Sequence, residues 1–179
     1  FFMENMDGTV IATALPQMAR SFGVGPVDLN MGMTAYLLTL AVFIPVSGWL
    51  ADQLGARTVF ASAIGVFTGA SILCGMSNGL WEFTAARVLQ GIGGAMMVPV
   101  GRLIVIRSVP KSELIAAMAL MGMPALIGPI IAPVVAGLIL TVTTWRWVFW
   151  LNVPIGILGI VLALIFIDDV REDDVSPFE

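Results

Sequence analysis

Charged residues divide the chain into apolar intervals, and the length of each interval predicts what it can form. Leu29–Ala51, Thr58–Trp81 and Trp147–Ile167 hold 23, 24 and 21 residues without an Asp, Glu, Lys or Arg. A helix needs about 20 such residues to cross the hydrocarbon of a bilayer. Each interval is therefore one crossing and too short for two. Leu114–Trp145 is uncharged for 32 residues, still short of two crossings and a turn. It predicts a single span kinked by Pro124, Pro129 or Pro133, with Thr141 to Thr144 emerging at its end.

Two intervals are too short to cross. Val88–Gly101 holds 14 uncharged residues and Gly8–Ala19 holds 12, which as helix reach about 21 Å and about 18 Å against about 30 Å of hydrocarbon. The fourth span must then extend back through Arg87 toward Trp81, and the first through Asp7 toward Glu4. Length alone places Asp7 and Arg87 in the membrane, whereas Glu4 stands either within it or at its interface. The pattern predicts an all-α membrane protein of six transmembrane helices, at about 1–19, 29–51, 58–78, 81–102, 113–140 and 146–167. An acidic segment, 168–179, reads as a solvated tail or the start of a linker. Turn signals fall between the spans at Gly23, Gly25 and Pro26, at Gly55, at Ser77 to Gly79 and at Pro110.

Composition excludes the main alternatives. Hydrophobic residues make up 59% and charged residues 11%, with a mean hydropathy of +1.00, whereas soluble domains carry about 25% charged residues. The solvent of such a surface is lipid. Nothing basic points to nucleic acid, and the net charge of −4 owes much to acids crowded into 168–179. The lone Cys74 has no partner for a disulfide and reads as a small core residue. There is no His, the commonest metal ligand and catalytic base, and no phosphate loop or nucleophile elbow. No enzyme, metal or cofactor is expected. The chain opens on Phe1 and Phe2 without the basic n-region of a signal peptide, as a trimmed terminus would. Arg57, Arg102, Arg107, Lys111 and Arg171 fall on one side of the six spans and Arg20 and Arg146 on the other, which predicts cytoplasmic termini.

The charges inside the membrane are the candidate chemistry. Glu4 and Asp7, three apart, share a helical face, and a carboxylate in lipid normally faces a bundle interior or wet cavity. Low dielectric favours the neutral form of a carboxyl group, the property that a proton carrier uses. Arg87, Gln90 and Gly94 share a face of the fourth span, where Arg87 needs a counter-charge: Asp7 across the bundle, or Glu82 at the interface. The first and fourth spans are equivalent if the six form two three-helix repeats. Gly91, Gly93, Gly94 and Ala95 allow close helix approach in the fourth. Gly128, Pro129, Ala132, Pro133, Ala136 and Gly137 do so in the fifth, and its prolines let it bend. Trp145, Trp147 and Trp150 around Arg146 predict an interfacial aromatic belt.

The stretch Gly48-Trp-Leu-Ala-Asp52-Gln-Leu-Gly55-Ala-Arg57 resembles the loop signature of the major facilitator superfamily. In it Gly55 permits a tight turn, Asp52 faces helix dipoles or Arg57, and Gly48 permits contact between moving bundles. Gln53 and Ala56 stand where that pattern usually carries basic residues. Met6-Asp7-Gly-Thr-Val-Ile-Ala-Thr-Ala14-Leu15-Pro16, Arg87-Val-Leu-Gln90-Gly91-Ile-Gly93-Gly94-Ala95 and Trp145-Arg146-Trp147-Val-Phe149-Trp-Leu-Asn152-Val-Pro154-Ile-Gly156 resemble the fourteen-span drug:proton antiporter branch. Gly128-Pro129 is similar to the antiporter signature, with Ala132 and Ala136 where glycines are usual. The resemblance covers nearly the whole chain, as the first six spans of a longer transporter. It implies alternating access and proton-coupled export of amphipathic organic compounds across a bacterial inner membrane. Asp7, Arg87, Glu4 and Gln90 would lie in proton or substrate coupling, with the proton gradient in place of a cofactor. It also implies a second six-helix bundle, as a missing half or a second copy. The alternative is a six-helix assembly module, or a split carrier that transports only as a homodimer or with a partner.

Overall fold

The computed structural model describes residues 2–167, so the acidic segment 168–179 lies outside the described residues. Within them are six long helices and no strand: α1 Phe2–Phe22, α2 Pro26–Leu54, α3 Ala56–Met76, α4 Leu80–Ser108, α5 Leu114–Val142 and α6 Arg146–Phe166. The last five are each long and apolar enough to cross a membrane. In α1, polar residues including Glu4, Asn5, Asp7 and Gln17 dilute the apolar character, and the helix carries both acids inside it.

Local chemistry sets the breaks. Gly55 alone joins α2 to α3 with φ 87° and ψ 133°, a backbone region that side chains with a Cβ rarely enter. α6 loses its regular pattern at Leu151, between the segments Arg146–Trp150 and Asn152–Phe166. Pro154 explains the interruption, since it has no N–H for the carbonyl of Trp150 and its ring presses on that carbonyl. α5 runs through Pro124, Pro129 and Pro133 as one continuous helix.

The helices pack as α1 on α5, α2 on α4, α3 on α4 and α3 on α6. Exchanging helices one to three with four to six maps the first pair onto the second and the last onto itself. Those pairings fit two three-helix repeats, whereas α3 on α4 has only a weak counterpart in α1 on α6. The shared helix α4 is thin where it passes its neighbours. A Cβ on Gly93 would lie 2.7 Å from the backbone nitrogen of Phe67 and 2.8 Å from the carbonyl oxygen of Ala63 on α3. One on Gly91 would lie 2.8 Å from the Cβ of Thr39 and 2.9 Å from the carbonyl oxygen of Tyr36 on α2. In lipid, helices gain little from burying apolar surface and associate through such close backbone approach.

The aromatic belt is divided. Trp145 is only 2% exposed, its ring 5.3 Å from Phe22 and 6.1 Å from Phe149, while Trp147 is 52% exposed. Trp145 is a core residue because Arg146 anchors its turn. The guanidinium Nη1 donates to the carbonyls of Gly75 and Ser77 at 2.7 and 2.8 Å, and Nη2 to Oδ1 of Asn78 at 3.1 Å. These close the end of α3, whose last carbonyls have no helical donor.

Gly93→Ala should lower the stability of the folded bundle by about 1–3 kcal/mol, because rigid backbone on α3 must move. Gly69→Ala, where a Cβ meets nothing within 4 Å, should stay within about 0.5 kcal/mol of the unaltered protein. Thermal unfolding in detergent compares the two, and equal losses would rule out the close-packing account.

Candidate functional site

The interior of the bundle holds a network hydrogen-bonded across four helices, with an aromatic ring from a fifth. Asp7 of α1 is 4% exposed and Arg87 of α4 is 1% exposed, and Nη1 of Arg87 lies 2.6 Å from Oδ2 of Asp7. The same nitrogen donates to Oε1 of Gln90, one turn along α4. Nε2 of Gln90 donates to Oδ1 of Asp7 at 3.0 Å and to Oγ of Ser71 on α3 at 2.7 Å. Asn152 of α6 makes the same two contacts, from Nδ2 to Oδ1 of Asp7 at 3.2 Å and to Oγ of Ser71 at 3.1 Å. From α2, the ring of Tyr36 lies under the Arg87 guanidinium, 4.1 Å from its carbon to the ring centroid. Cys74 turns its sulfur toward Oε1 of Gln90 at 3.7 Å.

Each helix delivers its group for a local reason. Gly91 and Gly94 let α4 approach α2 closely at Tyr36, and Gly32 of α2 leaves room for Phe83 and for the stem of Arg87. Gly128 of α5 lies against the turn of α1 that precedes Asp7, where a Cβ would come 3.2 Å from the carbonyl of Phe2 and 3.4 Å from the nitrogen of Met6. Ala132 and Ala136 continue that buried stripe. Gly156 brings α6 against Thr68 of α3, one turn from Asn152 and from Ser71. Val10, Ile11, Phe83 and Phe149 are buried in one apolar cluster of the core, and Asp7 and Arg87 are themselves buried, so each charge depends on its protein partners.

The other expected residues are placed as follows. Glu4 is half-buried, one turn from Asp7, and its Oε2 has no hydrogen-bond partner among the described residues. Glu82 accepts from the backbone nitrogen of Asn78 at 2.9 Å and does not meet Arg87. Asp52 pairs with Arg107 of α4, Nη2 to Oδ1 at 2.8 Å, rather than with Arg57. This ion pair ties the end of α2 to the end of α4. Around Gly48 and Gly137 the space is open, with nothing within 4 Å of an added Cβ. Pro129 is half-buried and Pro133 exposed. The sequence pattern did not single out Ser71, Tyr36 or a role for Asn152. Ser71 and Tyr36 sit in long uncharged intervals, where neutral polar groups leave no length anomaly. Asn152 belonged to a recognised stretch, within an interval chosen for its lack of charge.

A model of the Major Facilitator Superfamily matches residues 1–179, the whole chain. The chain belongs to the major facilitator superfamily. It is 44% identical over 99% of its length to MdtD of Escherichia coli and of Shigella sonnei, proteins named for multidrug resistance. It spans 39% of the length of those relatives. Among solved structures it is similar to a mutant of the peptide transporter POT in complex with sulfate, with a TM-score of 0.75 and 18% identity, over 92% of this chain and 36% of that one. It is also similar to a bacterial homologue of the human lysosomal transporter Spinster, inward-facing and unoccupied. There the TM-score is 0.74 and the identity 18%, over 99% of this chain and 43% of that one. At such identities these structures establish the fold: a six-helix bundle of the superfamily. The helices and the family make this an integral, multi-pass protein of the bacterial cytoplasmic membrane.

In this superfamily bundle Asp7→Ala would leave the guanidinium buried without its counter-charge, a loss of about 3–5 kcal/mol. The double substitution Asp7→Asn with Arg87→Gln removes both charges and should regain more than half of that. Thermal unfolding of the purified variants checks the ordering, and a double variant no more stable than the single one would show that the ion pair is not what the loss measures.

Proposed function

We propose that the chain forms the first six-helix half of a secondary active transporter that exports small amphipathic organic compounds in exchange for protons by alternating access. The observation that carries this reading is the Asp7–Arg87 pair, sealed among five helices in a chain of this superfamily. A buried acid that can be neutralised by one proton, and whose neutralisation frees a buried cation, converts proton uptake into a change of charge inside a bundle. Such a change is what an alternating carrier needs. Asp7 would take the proton, Arg87 would respond to it, Gln90 would link the two, and Glu4 would lie on the proton's route one turn away.

The second bundle would close the cavity from the opposite side. The chain accounts for 39% of the MdtD length, which leaves room for it. The exposed apolar face of α5, with Leu126, Ile130, Val134 and Leu138, offers surface to lipid or to that bundle. The Asp52–Arg107 pair, at the end where Gly55 turns the chain, would latch one state, and the termini at the same end would face the cytoplasm. Small-residue contacts at Gly91, Gly93 and Gly94 would let α4 shift against its neighbours without breaking side-chain packing. Gly128 would do the same for α5, with Pro129 and Pro133 letting it flex.

In the full-length protein reconstituted in vesicles, Asp7→Asn should abolish substrate-dependent proton movement and proton-driven efflux of amphipathic dyes while leaving the protein folded. Unaltered proton movement in that variant would refute the assignment of Asp7.

A further inference from the structure

The bundle treats the two carboxylate oxygens of Asp7 differently. Oδ2 faces the charged donor Arg87 at 2.6 Å. Oδ1 accepts from two neutral amides on different helices, Gln90 at 3.0 Å and Asn152 at 3.2 Å. Each amide nitrogen has one further hydrogen, and both spend it on the same atom, Oγ of Ser71, at 2.7 and 3.1 Å. The acceptor-only carboxylate sets which way each amide faces, and Ser71 holds both amide nitrogens in place beside it. Turned the other way, either amide would set its oxygen against the carboxylate, and neither group has a hydrogen to share. Ser71, Gln90 and Asn152 are all buried. Oδ1 of Asn152 is also buried, without a partner among the described residues, so the donated bonds alone orient that side chain.

The geometry points to Asn152 and Ser71 as positioning residues that direct the incoming proton to Oδ2 of Asp7, the oxygen held by Arg87. The inference rests on the proton-coupling role proposed above. A carboxylate oxygen has two lone-pair sites, and on Oδ1 both are filled by donors. A proton arriving there would displace an amide hydrogen from one of its two buried acceptors. On Oδ2 the only donor is Nη1 of Arg87, so one lone-pair site is open to the proton. A hydronium ion supplies the proton and leaves as water, so the carboxylate becomes neutral and the charge that held Arg87 is lost. Arg87 keeps Oε1 of Gln90 and the face of Tyr36, which hold the cation inside the bundle. Proton uptake thus neutralises Asp7 at the oxygen that Arg87 contacts, and weakens the hold of α1 on Arg87.

The titratable and charged groups around Asp7 are Arg87 from α4, Glu4 on its own helix, Tyr36 from α2 and Cys74 from α3. α5 has none between Leu114 and Val142, and α6 has none between Trp147 and Phe166. A shift on altering Asn152 or Ser71 therefore reports on the amide donors and not on a lost charge.

The test follows the protonation of Asp7 in the full-length protein in lipid nanodiscs by infrared difference spectroscopy. The carboxyl band of Asp7 is identified by its loss in Asp7→Asn. Removing donors from the charged form favours the neutral form. Asn152→Leu and Ser71→Ala should each move the pH midpoint of the band upward by about half to one unit, and Asn152→Gln, which keeps an amide, should move it less. Ser71→Ala is a small change that tests the proposal even if Leu at 152 prevents folding. A Ser71→Ala midpoint equal to that of the unaltered protein would overturn it. The readout needs no transport: a shifted midpoint in a protein that moves no protons with substrate would sink the transport reading and leave the positioning role standing.

Discussion

An ion pair held out of water organises this bundle. A carboxylate and a guanidinium each lose several kcal/mol of hydration on burial, and their attraction offsets that only when the remaining donors and acceptors are satisfied. The structure meets most of the condition from several helices at once, with Nε of Arg87 and Oδ1 of Asn152 left without a partner among the described residues. Arg87 reaches Asp7, Gln90 and the ring of Tyr36, and the second oxygen of Asp7 takes two amides fixed by Ser71. These groups arrive from five helices, Arg87 and Gln90 both from α4, so the ion pair specifies how α1, α2, α3, α4 and α6 sit relative to one another. An apolar core of the same volume would hold the helices together without demanding one register.

The glycines of α4 are the covalent counterpart of that demand. With Gly91 against the backbone of α2 and Gly93 against that of α3, the helix can lie close enough for short side chains such as Ser71 to reach Gln90. Lengthening either contact would open the network before it disturbed the apolar layers at the ends. The aromatic cluster of Phe22, Phe83, Trp145 and Phe149 and the Arg146 clamp on the end of α3 close one end of the bundle around the network. The Asp52–Arg107 pair ties the other end more loosely, because it is partly exposed to solvent.

Much of this was legible in the chain because charge in lipid is so costly. Asp7 and Arg87 were placed in the membrane by counting uncharged residues, since no helix of 12 or 14 residues crosses hydrocarbon. The loop signature foretold the single-glycine turn at Gly55 for a similar reason: only glycine accepts that backbone. Neutral polar groups gave no such signal. Ser71 and Tyr36 fit a lipid-length interval as well as Ala or Phe would, and their role exists only once five helices converge. The partner of Asp52 was missed because Arg107 is 55 positions away, whereas Arg57 stood within the recognised motif. Trp145 was read as interfacial from its company of tryptophans, yet Arg146 spends its donors on α3 and draws that turn inward.

The symmetry of the bundle bears on why the pair joins α1 to α4. These are equivalent helices of the two repeats, and α1 packs on α5 as α4 packs on α2. The side chains of Asp7 and Arg87 therefore link the two repeats directly. The peripheral contributions from α3 and α6 are also equivalent, and Ser71 and Asn152 meet at the one contact, α3 on α6, that the exchange maps onto itself. In the proposed mechanism a proton at Asp7 would be felt by both repeats, because the hydrogen-bonded network draws on helices of each.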